Sequence, residues 1–65
     1  MMNLILKAAI IGKYWSQVDF AEAIGTREAV VSRVVRGRQR LSAESQKKWA
    51  EALDSNVSDL FPPEA

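Results

Sequence analysis

An all-α domain is what this sequence predicts, and three observations carry the expectation. Apolar residues recur at helical spacing, glycines and cap residues punctuate the chain at short intervals, and no segment alternates as a half-buried strand does. With 65 residues, 48% of them hydrophobic, the chain reads as one small domain over residues 1–65, too apolar for disorder. Cores of this size rarely supply more than about 3–5 kcal/mol unaided, so well-formed helices or a partner subunit must contribute the rest.

The first helix rests on Leu4, Ala8 and Ile11, flanked by Ile5 and Ala9, an i, i+4, i+7 stripe expected to face inward. Gly12 ends it or lies near its end. Ser16 is the N-cap of a second helix, with Asp19 in the capping-box position in place of the preferred Glu. Trp15 and Phe20 fall at the N′ and N4 positions of a hydrophobic staple. Val18, Phe20, Ala21 and Ile24 supply its inward face, and Gly25 stops it with a positive φ. Thr26 is the N-cap candidate for a third segment, Arg27 to Arg36. Its Val30, Val31, Val34 and Val35 favour a strand by propensity. On a helical wheel, however, they fall within an arc of about 140°, opposite Glu28, Ala29, Ser32, Arg33 and Arg36, and that pattern makes the segment a helix closed by Gly37. Ser42 caps a fourth helix with Trp49, Ala50 and Leu53 on one edge, broken by Asp54, Ser55 and Asn56. Ser58 caps a short fifth turn carrying Val57 and Phe61, which Pro62 and Pro63 prevent from continuing. The expected architecture is a compact five-helix bundle.

Composition removes whole classes of function. The chain has no cysteine and no histidine, so it offers no disulfide, no ordinary zinc site, no thiol nucleophile and no imidazole base. Neither an enzyme nor a metal or cofactor site is expected. The apolar run from Met1 is interrupted by Asn3, Lys7, Gly12 and Lys13, far short of the roughly 20 residues a bilayer requires. No basic segment precedes it as in a cleavable signal, so the expected compartment is the cytoplasm.

A formal net charge of +1 conceals a polarised chain. All five arginines, Arg27, Arg33, Arg36, Arg38 and Arg40, stand in residues 27–40 against Glu28 alone. Residues 41–65 hold Lys47 and Lys48 against Glu44, Glu51, Asp54, Asp59 and Glu64. Arginine is the side chain best suited to bidentate contacts with phosphate and guanine, although a basic segment is also simply a solvated surface.

The run Ser16-Gln17-Val18-Asp19-Phe20-Ala21, then Gly25, Val31-Ser32-Arg33 and Gly37, resembles the helix-turn-helix of the Cro/repressor family of lambdoid phages and bacterial relatives. The resemblance spans roughly residues 4 to 61. It implies a helix-turn-helix over about residues 16–36, whose third helix is the recognition helix, with double-stranded DNA as partner. Arg27, Glu28, Ala29, Ser32 and Arg33 are the implied base-contacting residues, and Arg33 is the foremost base reader because guanidinium to guanine is the commonest specific contact. Glu28 has three readings: an acceptor for cytosine N4, a repulsive charge, or a favourable anion at the helix N-terminus. Ala29 meets a thymine methyl or permits close approach, and Ser32 reaches base or phosphate.

Ser16, Gln17, Arg36, Arg38 and Arg40 are the implied phosphate contacts, Gln17 and Ser16 at a helix N-terminus that favours anions. Trp15 and Trp49 are expected in the core, while the Tyr14 hydroxyl is open to a phosphate. Val57, Leu60 and Phe61 are the expected contacts of a homodimer on DNA, although Pro62-Pro63 leaves the fifth helix barely a turn. Helix four is also about one residue longer than the family pattern, and no sensor or oligomerisation module is expected beside this domain. The resulting expectation is a small transcriptional regulator, a Cro-like repressor of phage or prophage type acting by operator occupancy. A protein-interaction module such as an antitoxin or anti-repressor is the alternative, and it would not require the arginine set.

Overall fold

A computed structural model describes residues 2–62 as five helices: α1 (Leu4–Tyr14), α2 (Gln17–Ile24), α3 (Glu28–Val35), α4 (Ala43–Ala52) and α5 (Val57–Leu60). No strand occurs among the described residues. Every helix contributes to one core, through Leu6 and Ile10 of α1, Phe20 and Ala21 of α2, Val31, Val34 and Val35 of α3, Trp49 and Ala50 of α4, and Leu60 of α5. At its centre Phe20 is fully buried. Its ring stands edge-on to Tyr14 at 5.2 Å and to Trp49 at 5.1 Å, and Trp49 in turn meets Phe61 at 6.4 Å. Such edge-to-face pairs add about 0.5–1.5 kcal/mol each beyond their buried area.

The rotation of α1 differs from the expectation. Leu6 and Ile10 face the core with Ala9 and Tyr14 packed beside them, while Leu4, Ile5 and Ile11 are exposed. Both stripes are apolar, so periodicity alone has no means of choosing between them. The choice is made by Asn3. Its Oδ1 accepts from Leu6 N–H at 3.0 Å, its Nδ2 donates to the Leu60 carbonyl at 2.6 Å, and its own N–H donates to the Val35 carbonyl at 2.6 Å. One residue thus caps α1 and ties it to the ends of α3 and α5. Gly12 lies near the end of α1 without ending it: the helix continues to Tyr14 and is capped by Trp15.

The staple does not form: Phe20 is buried, but Trp15 is 88% exposed with φ 70, and its expected place in the core is filled by other aromatic rings. Val18 is likewise half in solvent, because it lies well off the Phe20, Ala21 and Ile24 direction of α2.

Three helices stop by the same backbone device. After α2 the N–H of Gly25 donates to Glu22 O and that of Thr26 to Ala21 O. After α3, Gly37 donates to Val34 O and Arg38 to Arg33 O, and after α4, Asp54 donates to Glu51 O and Ser55 to Ala50 O. This paired pattern requires a left-handed residue, supplied by Gly25 at φ 76, Gly37 at φ 78 and Asp54 at φ 51. Asp54 tolerates the conformation as acidic turn residues do, and its carboxylate is paired with the Lys13 ammonium. Because the Thr26 N–H closes the α2 turn, Arg27 becomes the N-cap of α3 in its place. Ser58 likewise lies inside α5, whose N-cap is Asn56. Ser42 caps α4 as expected, its Oγ accepting from Ser45 N–H at 3.2 Å, and Trp49, Ala50 and Leu53 are buried.

Phe20→Ala is expected to remove about 3–5 kcal/mol, most of the stability of so small a domain. Trp15→Ala, at a site exposed in the single chain, is expected to change the stability of the dilute, dissociated chain by less than about 0.5 kcal/mol. Urea unfolding of the two variants beside the wild type checks both, and a Trp15 effect as large as that of Phe20 would contradict this packing. Asn3→Ala loses a cap and orphans the Leu60 carbonyl, for an expected cost of about 1–3 kcal/mol in the same measurement.

Candidate nucleic-acid interface

Two helix N-termini open the site. At α2, Ser16 is extended (φ −148, ψ 163) and its Oγ accepts from Asp19 N–H at 3.1 Å, leaving Gln17 half-buried in the first turn. Asp19 makes no return bond among the described residues, so half of the capping box forms. At α3, Arg27 is extended (φ −105, ψ 148) but provides no side-chain cap, so the first N–H groups of that helix have no side-chain acceptor. A helix end of this kind attracts negative charge through its dipole and its free donors.

Burying the valine face of α3 decides what the opposite face presents. Val31, Val34 and Val35 are in the core, while Glu28, Ala29, Arg33 and Arg36 are exposed and Ser32 is half-buried. The residues expected to meet bases therefore stand together on the solvent side of one helix, with Arg27 exposed at its start. The turn at Gly37 folds the chain back, and Arg36, Arg38 and Arg40 surround it in exposed positions.

This return brings Gln39 to Arg33: Arg33 Nε donates to Gln39 Oε1 at 3.1 Å. With Nε engaged, the terminal nitrogens form the free edge of the guanidinium, in the fork geometry suited to two acceptors. Sequence reading missed Gln39, because six positions across a turn is no helical spacing; the left-handed Gly37 is the signal from which the return was legible. The ion pair found among the described residues joins Lys13 to Asp54, outside this segment, so Arg27, Arg33, Arg36 and Arg38 have no carboxylate partner there. Such a surface suits an external anion.

A family model described as helix-turn-helix matches residues 6–60, from the first core residue of α1 to that of α5. The chain belongs to the Cro/repressor-type helix-turn-helix family. It is a DNA-binding domain of the transcription-regulator type, with α2 and α3 as its helix-turn-helix and double-stranded DNA as its partner. No curated protein and no solved structure matches the chain. No described helix is long and apolar enough to cross a membrane.

Two expected contacts are placed elsewhere by the packing. The Tyr14 hydroxyl donates to the Ala52 carbonyl at 3.0 Å and so serves the α1–α4 junction instead of a phosphate. Leu60 is only 2% exposed, which leaves its side chain no surface to give a second copy, whereas Val57 and Phe61 are half-buried along a groove of about 930 Å³ beside Leu41.

Gln39→Ala is expected to release the Arg33 side chain and weaken binding to a preferred duplex about 3- to 10-fold, the worth of one solvent-exposed hydrogen bond used for positioning, with little change on random DNA. Parallel fluorescence titrations on the two duplexes check this, and equal losses on both would remove Gln39 from the reading apparatus.

Proposed function

We propose that this family member is a sequence-specific regulator of the Cro type, of phage or prophage origin, that works in the cytoplasm by occupying an operator and excluding polymerase or a competing repressor. The N-terminal turns of α3 enter the major groove, and α2 crosses the backbone above it. Arg33 reads a guanine by its O6 and N7, flanked by Arg27, Glu28, Ala29 and Ser32. Ser16 and Gln17 meet a phosphate at the α2 N-terminus, and Arg36, Arg38 and Arg40 clamp the backbone from the turn after α3. Two copies occupy half-sites about one helical turn, roughly 34–36 Å, apart.

The observation that carries this reading is the Arg33–Gln39 bond. It holds a guanidinium in place on the one helix face that the core leaves free, near Arg27, Arg36 and Arg38, for which no carboxylate partner is found among the described residues. A mere solvated charge gains nothing from being positioned.

The reading separates two arginines. Removing a bidentate guanine contact costs about 1–3 kcal/mol on the preferred site and much less elsewhere, whereas removing a phosphate contact weakens all sequences alike and flattens log K against log salt by about one unit. Arg33→Ala is therefore expected to narrow the gap between a duplex selected from a randomised pool and random DNA. Arg38→Ala should lower both together and reduce the salt slope. Titration of each variant at two salt concentrations decides the matter: the reverse pattern refutes the assignment of α3 residues, and unchanged binding in both points to a protein-interaction module.

A further inference from the structure

A helix in a domain this small normally shows one apolar face and one polar face, and a helix apolar on all sides is normally buried on all sides. α1 violates this. Its inner face is spent on Leu6 and Ile10, both 0% exposed, yet the opposite face carries Leu4 at 65%, Ile5 at 59% and Ile11 at 42% exposure, with Ala8 between them. Just past the helix end, the cap residue Trp15 adds a further apolar side chain at 88% exposure, in a left-handed conformation that costs a non-glycine residue energy. Gly12 adds a second anomaly. It lies inside the helix, where glycine weakens the structure, and a Cβ built on it meets nothing within 4 Å, so nothing inside the chain requires a glycine there.

We propose that the outer face of α1 is a self-association surface, on which a second copy of this chain packs its own α1 antiparallel across a two-fold axis, independently of DNA. The spacing Leu4, Ala8, Ile11, Trp15 is self-complementary under that operation. Leu4 lies opposite the copy's Trp15 and Ala8 opposite its Ile11, and the bare backbone at Gly12 leaves room beside the axis for the copy's side chains. The area is of the right size. Exposed aliphatic side chains at roughly 60–100 Å² each, with a nearly whole tryptophan, make a patch on the order of 600 Å². That is the upper end for a monomer, and pairing two such patches buries on the order of 1,200 Å², the lower bound of specific stable interfaces. Charge agrees with the occupant as well. The ionised side chains on α1 are Lys7 and Lys13, Lys13 is held by Asp54, and neither belongs to the Leu4, Ala8, Ile11 and Trp15 stripe, so a second copy seated on that stripe buries no charge belonging to it.

Two substitutions favourable to an isolated helix test this in the DNA-free protein by sedimentation along a dilution series. Leu4→Glu puts an acidic group in a first turn that has none, and Gly12→Ala removes a helix-weakening residue into open space. Both are expected to keep or raise the melting temperature measured at dilutions where the wild type is also a single chain, while weakening association at least 10-fold, a combination that a purely structural role does not produce. The wild type is expected at twice the 7.2 kDa chain mass when concentrated, with its emission shifting red on dilution as Trp15 is released and Trp49, 4% exposed, stays buried. Arg33→Ala should retain the double mass, so failure of the DNA reading leaves this result untouched. A wild type that stays at the single-chain mass throughout overturns the proposal. So does a double mass that survives both α1 substitutions, including the case in which Phe61→Ser alone abolishes it and the contact lies on the groove beside α5.

Discussion

The structure depends on the insertion of one ring, Phe20, between the edges of Tyr14 and Trp49. These three residues belong to α1, α2 and α4, and Trp49 extends the chain of contacts to Phe61 at the end of α5. Among the described residues no helix is longer than 11 residues, and isolated helices of that length are marginal in water. Their stability must come from tertiary packing, and within the common core this aromatic ladder links four of the five helical segments. α3 joins by its valines, which pack into the same core without a ring of their own.

With the ladder in place, the DNA-facing surface follows by exclusion. α3 is held by its buried valines, so its remaining face has one direction available, and the side chains on it are Glu28, Ala29, Ser32, Arg33 and Arg36. Backbone geometry then refines that surface. The left-handed Gly37 reverses the chain and delivers Gln39 to Arg33, converting a long flexible cation into a positioned one. Positioning of this kind is what distinguishes a guanidinium suited to two fixed acceptors from one that merely screens phosphate.

Asn3 shows how much a single polar residue decides in a small domain. Its three hydrogen bonds cap α1, join the chain's beginning to the ends of α3 and α5, and set the rotation of α1. That rotation sends Leu6 and Ile10 inward and leaves an apolar stripe outside, so the same bonds that complete the monomer create the surface assigned here to a second copy. Tyr14 is captured in the same way, its hydroxyl bonded to the Ala52 carbonyl and withdrawn from the surface.

The sequence by itself determined the helix count, most of the stops, the valine face of α3 and the arginine segment, because those properties are local. A left-handed glycine, a serine cap and a 3.6-residue period are written within a few positions of one another, and the family resemblance rests on the same short-range marks. What it left open were properties set between distant positions. α1 carries two apolar stripes, and contacts with residues more than 30 positions away, among them the bonds of Asn3 and of the Tyr14 hydroxyl, choose between them. The staple signal around Ser16 was present, yet Trp15 lies outside, because Tyr14 and Trp49 already pack against the Phe20 ring that a staple partner would need. The Arg33–Gln39 bond spans a reversal of the chain and so has no periodic signature. Local physics wrote the elements and their caps; the competition of several apolar faces for one small core decided which of them stayed in water.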